Sequence, residues 1–149
     1  MKRQRGFSLI ELLIVVAIIL IIAAIAIPNL IKSKMAANEA SAVGSLRTIN
    51  TAEITYSSTY GTGFTDLATL GSSGIIDAVL SKGTKSGYTF IATPNSGTGT
   101  STDPYNGYTS TGTPTTSSTG TRQFCSDASG VIRYETSGTG CAATSTPLQ

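Results

Sequence analysis

The chain has 149 residues, a net charge of +2, 12% charged residues and no histidine. Its basic residues cluster nowhere outside the N-terminus, so no electrostatic footprint for nucleic acid is present. The lack of histidine removes the commonest general base and zinc ligand and the Ser/His and Cys/His nucleophile pairs, and no catalytic, metal-binding or cofactor motif stands in their place. Apolar residues are unevenly spread, with 22 of them in the first 31 positions. The stretch beyond Tyr60, roughly 90 residues rich in Gly, Ser and Thr, is at the lower end of what folds alone and is expected to lean on the preceding segment as part of one domain.

Lys2, Arg3 and Arg5 make a short basic head, and Leu12 to Ile27 is apolar and uncharged throughout. Together they read as an export or insertion signal. One reading is a secretory signal peptide, cut after Ala24-Ile25-Ala26 to release a soluble binding domain beginning at Ile27. Another is a plain anchor, since residues 7–31 at about 1.5 Å per residue exceed the ~30 Å hydrocarbon core. Neither accounts for Glu11, because a carboxylate in a spanning segment is costly and implies a partner. A cut between Gly6 and Phe7 supplies one. It creates an α-amino group on Phe7, with a pKa near about 7.7 to 8.0, four residues from Glu11. Amine and carboxylate then pair within one chain, as i and i+4 on a helix, or between chains in an assembly.

Gly6-Phe7-Ser8-Leu9-Ile10-Glu11-Leu12, behind a basic leader and ahead of the apolar run, resembles the processing motif of the type IV pilin and type II secretion pseudopilin superfamily. Pro28 also falls where that family commonly has a helix-kinking proline. The resemblance implies a prepilin inserted in the inner (cytoplasmic) membrane, cut after Gly6 by a prepilin peptidase and N-methylated on Phe7 by the same enzyme. Glu11 is then expected to pair with a neighbouring subunit's N-terminal amine. The implied partners are other copies of the chain, minor pilins, the peptidase/methylase, and an inner-membrane assembly platform with its ATPase. The filament would be extracellular or periplasmic. The implied division is a leader at 1–6, an apolar transmembrane and filament-core helix at 7–31, an amphipathic helix half at 32–60, and a small β-sheet head at 61–149. A type IV pilus subunit and a pseudopilin of a type II secretion system share this N-terminal motif. The long Ser/Thr-rich segment and the lack of a convincing calcium loop favour the pilus modestly.

After Pro28, apolar or small residues recur in steps of three or four at Ala36, Ala40, Val43, Leu46, Ile49, Ala52, Tyr56 and Tyr60, which is helical periodicity. Asn38, Glu39, Arg47, Asn50 and Glu53 fall between them as the expected polar face. Gly61 is suited to a left-handed cap, so the helix is expected over residues 7–60, kinked or loosened at Pro28 or divided there into two helices. Tyr56 and Tyr60 read as core aromatics.

Short β-like runs follow at 87–93, 107–110, 122–126 and 131–135, with Asp127-Ala128-Ser129-Gly130 as a turn between the last two. They predict a small antiparallel sheet packed on the helix, an α+β, pilin-like fold. Residues 93–121 are mostly Ser, Thr, Gly, Asn and Pro and are expected as surface loops around one weak strand. Asp103 and Asp127 read as turn residues, since two isolated acids are too few for a calcium site. Cys125 and Cys141 enclose 15 residues, and in an exported chain they read as a disulfide closing a C-terminal loop.

Overall fold

A computed structural model describes residues 7–136 and 140–148, which divide into two compact units, residues 1–34 and 35–149. One helix, α1 (Leu9–Tyr60, 52 residues), runs through both, and Pro28 lies inside it with no break in the helical assignment. The expected helix is therefore present, as one element and not as two.

In the first unit the described residues belong almost wholly to this helix. Its large apolar side chains are exposed from Phe7 (83%) to Ile31 (45%). The run is dense in Ile and Val, which in water favour strands. A helix suits a lipid environment, because it satisfies its backbone N–H and C=O groups internally and leaves only hydrocarbon outside. By length and composition, α1 is the one helix among the described residues capable of crossing a membrane.

In the second unit the rest of α1 lies against a six-stranded antiparallel sheet of order β1-β2-β3-β4-β5-β6. The strands are β1 (Thr84–Lys85), β2 (Tyr88–Asn95), β3 (Gly107–Pro114), β4 (Gln123–Asp127), β5 (Arg133–Glu135) and β6 (Thr146–Pro147). Ala42, Leu46 and Ile49 of the helix are fully buried in one cluster with Tyr88, Phe90 and Phe124 of the sheet. Two short helices, α2 (Leu67–Ser72) and α3 (Ala78–Ser81), add Leu67, Leu70 and Leu80 to the same core. Both begin at an aspartate cap: Asp66 accepts the N–H of Thr69, and Asp77 accepts those of Val79 and Leu80. Gly61 ends α1 at φ 69° with its N–H on the Ser57 carbonyl, as expected of a left-handed cap.

Three expectations are corrected. The buried helix face is not flanked by Glu39, Asn50 and Glu53 but includes them, each at most 7% exposed, whereas Ala36, Ala40 and Tyr60 are exposed and Tyr56 is half-buried. The reason is spacing: Glu39, Leu46 and Glu53 are seven apart and so share a face. The one weak strand expected at 107–110 in the Ser/Thr/Gly-rich stretch is longer than predicted, because β3 is an eight-residue strand paired along its whole length with β2 and over Thr109–Gly112 with β4. Its inward positions are Tyr108, Ser110 and Gly112, all buried. A Cβ on Gly112 would lie 3.0 Å from the Phe90 ring and 3.8 Å from Leu46, so small residues here let the aromatic of the next strand and the helix approach the sheet. The sheet also has two edge strands more than the sequence suggests, β1 and β6.

Candidate functional site

The sequence places its chemistry at the start of α1, and there the structure adds a partner. Glu11 lies in the first turn of the helix, and its Oε2 accepts the backbone N–H of Ser8 at 3.0 Å. Leu12 N–H in turn reaches the Ser8 carbonyl at 3.3 Å. A carboxylate three residues into a helix that reaches back to an unpaired N–H is the acidic half of a capping box, and it favours the positive end of the helix dipole. Ser8-x-x-Glu11 ahead of an apolar run is the sequence signature of that device, so Ser8 was legible as a partner. Phe7 is the residue immediately before this cap, strongly exposed. Gly6, the other side of the expected cut, lies outside the described residues.

The site is thus a small polar cap on the end of an exposed apolar rod. From Ile10 to Ile31 Glu11 is the sole charged residue, and Lys32 and Lys34 follow directly. Such a surface has two stable environments, lipid tails or other apolar helices, and exchanging one for the other changes little apolar burial.

Comparison with known proteins falls on the same residues. Residues 1–27 match the family model of the prokaryotic N-terminal methylation motif. The match takes in Phe7 and Glu11 and most of the apolar run that follows them. The chain is 55% identical over 51 residues to the type IV major pilin protein PilA of Myxococcus xanthus, a match covering 34% of this chain and 23% of that protein. It is 56% identical over 39 residues to the type IV wide pilus major component PilA4 of Thermus thermophilus, covering 26% of this chain and 30% of that protein. The matched stretches therefore span less than a third of either relative's length.

The other polar anchors sit in the second unit. Glu39 takes the N–H groups of Thr121 and Arg122, Glu53 takes that of Thr65, and Asn50 bridges Tyr108, Ser126 and Gly130. Cys125 and Cys141 form the expected disulfide, with Cα atoms 5.6 Å apart. Asp127 caps its own turn by accepting Ser129 N–H, and Gly130 N–H closes that turn on the Asp127 carbonyl. Asp103 accepts the hydroxyl of Thr98 within another turn. A groove of about 480 Å³ along the outer side of α1 is lined by Arg47, Thr48, Thr51, Ala52, Thr55 and Ile75, and it holds no base to activate a nucleophile. Tyr56 and Tyr60 stack at 4.6 Å between ring centroids near the end of the helix.

Proposed function

We propose that the chain is the precursor of a structural subunit of a type IV pilus-like filament. The observation that carries this reading is the exposed apolar helix with its one carboxylate in the first turn, four residues after Phe7 and in register with Gly6. In this reading the precursor sits in the inner membrane as a single-pass protein, and a prepilin peptidase cuts between Gly6 and Phe7 and methylates the new amine. The leader carries the basic head away, and Phe7 becomes a cation beside the Ser8–Glu11 cap. Assembly moves the apolar helix from lipid into a bundle of like helices, driven by a platform and an ATPase. Because apolar contacts exchange at little net gain, the amine of Phe7 and the carboxylate of a neighbour's Glu11 supply the registration, strengthened by low dielectric. Pro28 gives the helix a place to bend or loosen as subunits pack. Both relatives are named as pilus components, which supports a pilus over a secretion pseudopilus.

The test is assembly of Glu11 variants. Glu11→Gln keeps an acceptor for Ser8 N–H but removes the charge, and Glu11→Ala removes both. Both are expected to be processed and retained in the membrane, with sheared surface filaments reduced by an order of magnitude or more, as for a lost charge pair in low dielectric. Normal filament yield from both variants contradicts the reading.

A further inference from the structure

Glu53 is a buried carboxyl that no step of filament assembly uses. It is completely buried on α1, under the connection 61–66 that joins α1 to α2. Its Oε2 accepts the N–H of Thr65 at 2.9 Å, and its Oε1 is buried with no hydrogen-bond partner. The nearby donors are committed elsewhere. The Tyr108 hydroxyl donates to Asn50 Oδ1 at 2.9 Å, and the Asn50 amide donates to Ser126 Oγ at 2.8 Å. Neither of the two ion pairs among the described residues involves Glu53, and the titratable groups facing it are Asp66, the cap of α2, and Tyr108 of β3. A carboxylate here would hold one oxygen without donor or cation beside another acid.

The connection above it is fastened by few other bonds. Phe64 N–H bonds the Tyr105 carbonyl at 3.2 Å and Tyr105 N–H bonds that of Thr62 at 3.1 Å, while the Phe64 ring rests on Tyr108 with centroids 4.8 Å apart. We propose that Glu53 is a proton-operated latch: protonated, it holds the connection 61–66 closed on the helix, and on losing its proton it opens that connection to admit water to Oε1. Opening would release Thr65, loosen the Thr62–Tyr105 and Phe64–Tyr105 bonds and uncover the Phe64 and Tyr108 rings. Burial, and then the charge of Asp66, push Glu53 up to about 7, against the pull of the Thr65 N–H, so the latch would work around neutral pH.

The experiment is NMR on the full chain in detergent micelles, following the Glu53 side-chain carboxyl carbon and the Thr65 amide across pH about 5.5 to 8.5, with exchange corrected for its intrinsic pH dependence. The expected result is that Thr65 protection falls at least about tenfold as Glu53 ionises, with both titrations sharing one midpoint. Glu53→Gln, which cannot ionise, is expected to flatten the Thr65 profile. Asp66→Asn, which keeps a good helix cap, is expected to move the shared midpoint to lower pH by removing a like charge. The latch is overturned if Glu53 titrates in the ordinary carboxylate range, or if it titrates near neutrality while Thr65 protection stays constant. The wild-type and Asp66→Asn titrations decide the matter even where Glu53→Gln fails to fold.

Discussion

Glu39 and Arg122 meet across the helix–sheet boundary, Arg122 Nε–H donating to Oε2 at 2.8 Å. The other oxygen accepts the N–H groups of Thr121 and Arg122 and the hydroxyl of Thr121. The guanidinium also lies over Phe124 and Tyr134, 5.4 and 5.5 Å from the ring centroids. One carboxylate thus fixes the end of the loop between β3 and β4 to the long helix. Burial alone would push Glu39 up, but the Thr121 N–H, the Arg122 guanidinium and the Thr121 hydroxyl together outweigh it and hold the carboxyl below its usual range.

Glu39→Ala strands two backbone N–H groups and a half-buried guanidinium. It is expected to cost about 1 to 3 kcal/mol, mainly from the two N–H groups left without an acceptor, since the guanidinium is partly open to water. Urea unfolding of the micelle-bound full chain measures this. A loss of under about 0.5 kcal/mol would mean the loop is held by other contacts.

Stability is expected to peak on the acid side of neutrality. Glu53 has its pKa raised from 4.5 to about 7 on folding, so the folded state binds the extra proton. Its contribution is full below the unfolded value and is lost as pH rises through the folded one, up to about 3 kcal/mol by the usual 1.36 kcal/mol per unit. Glu39 and Asp127, both lowered, work in the opposite sense: what they contribute is present above the unfolded value and lost as pH falls further. Urea midpoints across pH map both limbs. Glu53→Gln should remove the decline toward pH 7 and leave the acid limb in place.

Gly44 and Gly120 should respond to alanine with opposite signs. A Cβ on Gly44, inside α1, meets nothing within 4 Å, so Gly44→Ala gains helix propensity and is expected to stabilise the dispersed chain by about 0.5 to 1 kcal/mol. A Cβ on Gly120 would collide with the Tyr88 hydroxyl oxygen. That tyrosine is fully buried and bonded to the Arg122 carbonyl at 2.8 Å, so it has nowhere to turn. Gly120→Ala is expected to cost about 1 to 3 kcal/mol as overpacking. Thermal unfolding of the two variants side by side checks both signs.

The Cys125–Cys141 bond ties β4 to the segment leading into β6. Replacing both cysteines with serine is expected to lower stability by about 3 kcal/mol through restored freedom of a 15-residue loop in the unfolded chain. The helix and β2–β3 pairing should survive, since their contacts lie elsewhere. Circular dichroism with urea unfolding separates the two effects.

Legibility in the sequence followed periodicity. The long helix announced itself through steps of three and four, and β2, β4 and β5 through their apolar and aromatic runs. The disulfide followed from export and count. The buried acids did not read as core because a charged residue is assigned to water by type, and only the seven-residue spacing of Glu39, Leu46 and Glu53 reveals that they share the buried face. β3 was shortened for a related reason: Ser110 and Gly112 look like loop by composition, yet smallness is what the close approach of Phe90 and Leu46 requires. The aspartate caps of α2 and α3 were present as local patterns, but their helical segments are too short for those patterns to stand out, whereas the Ser8-x-x-Glu11 spacing carries its cap openly. The proposed cut between Gly6 and Phe7 and the proposed pairing of Glu11 rest on residue order, because a processing motif depends on the order of residues along the chain and not on packing.

We propose that removal of the leader makes the amine that Glu11 requires. Intact mass and N-terminal sequencing of the chain recovered from surface filaments sheared off cells test it most directly. The expected mature chain begins at N-methylated Phe7. A mature chain beginning at Ile27, which would discard Glu11 with the signal, would contradict it.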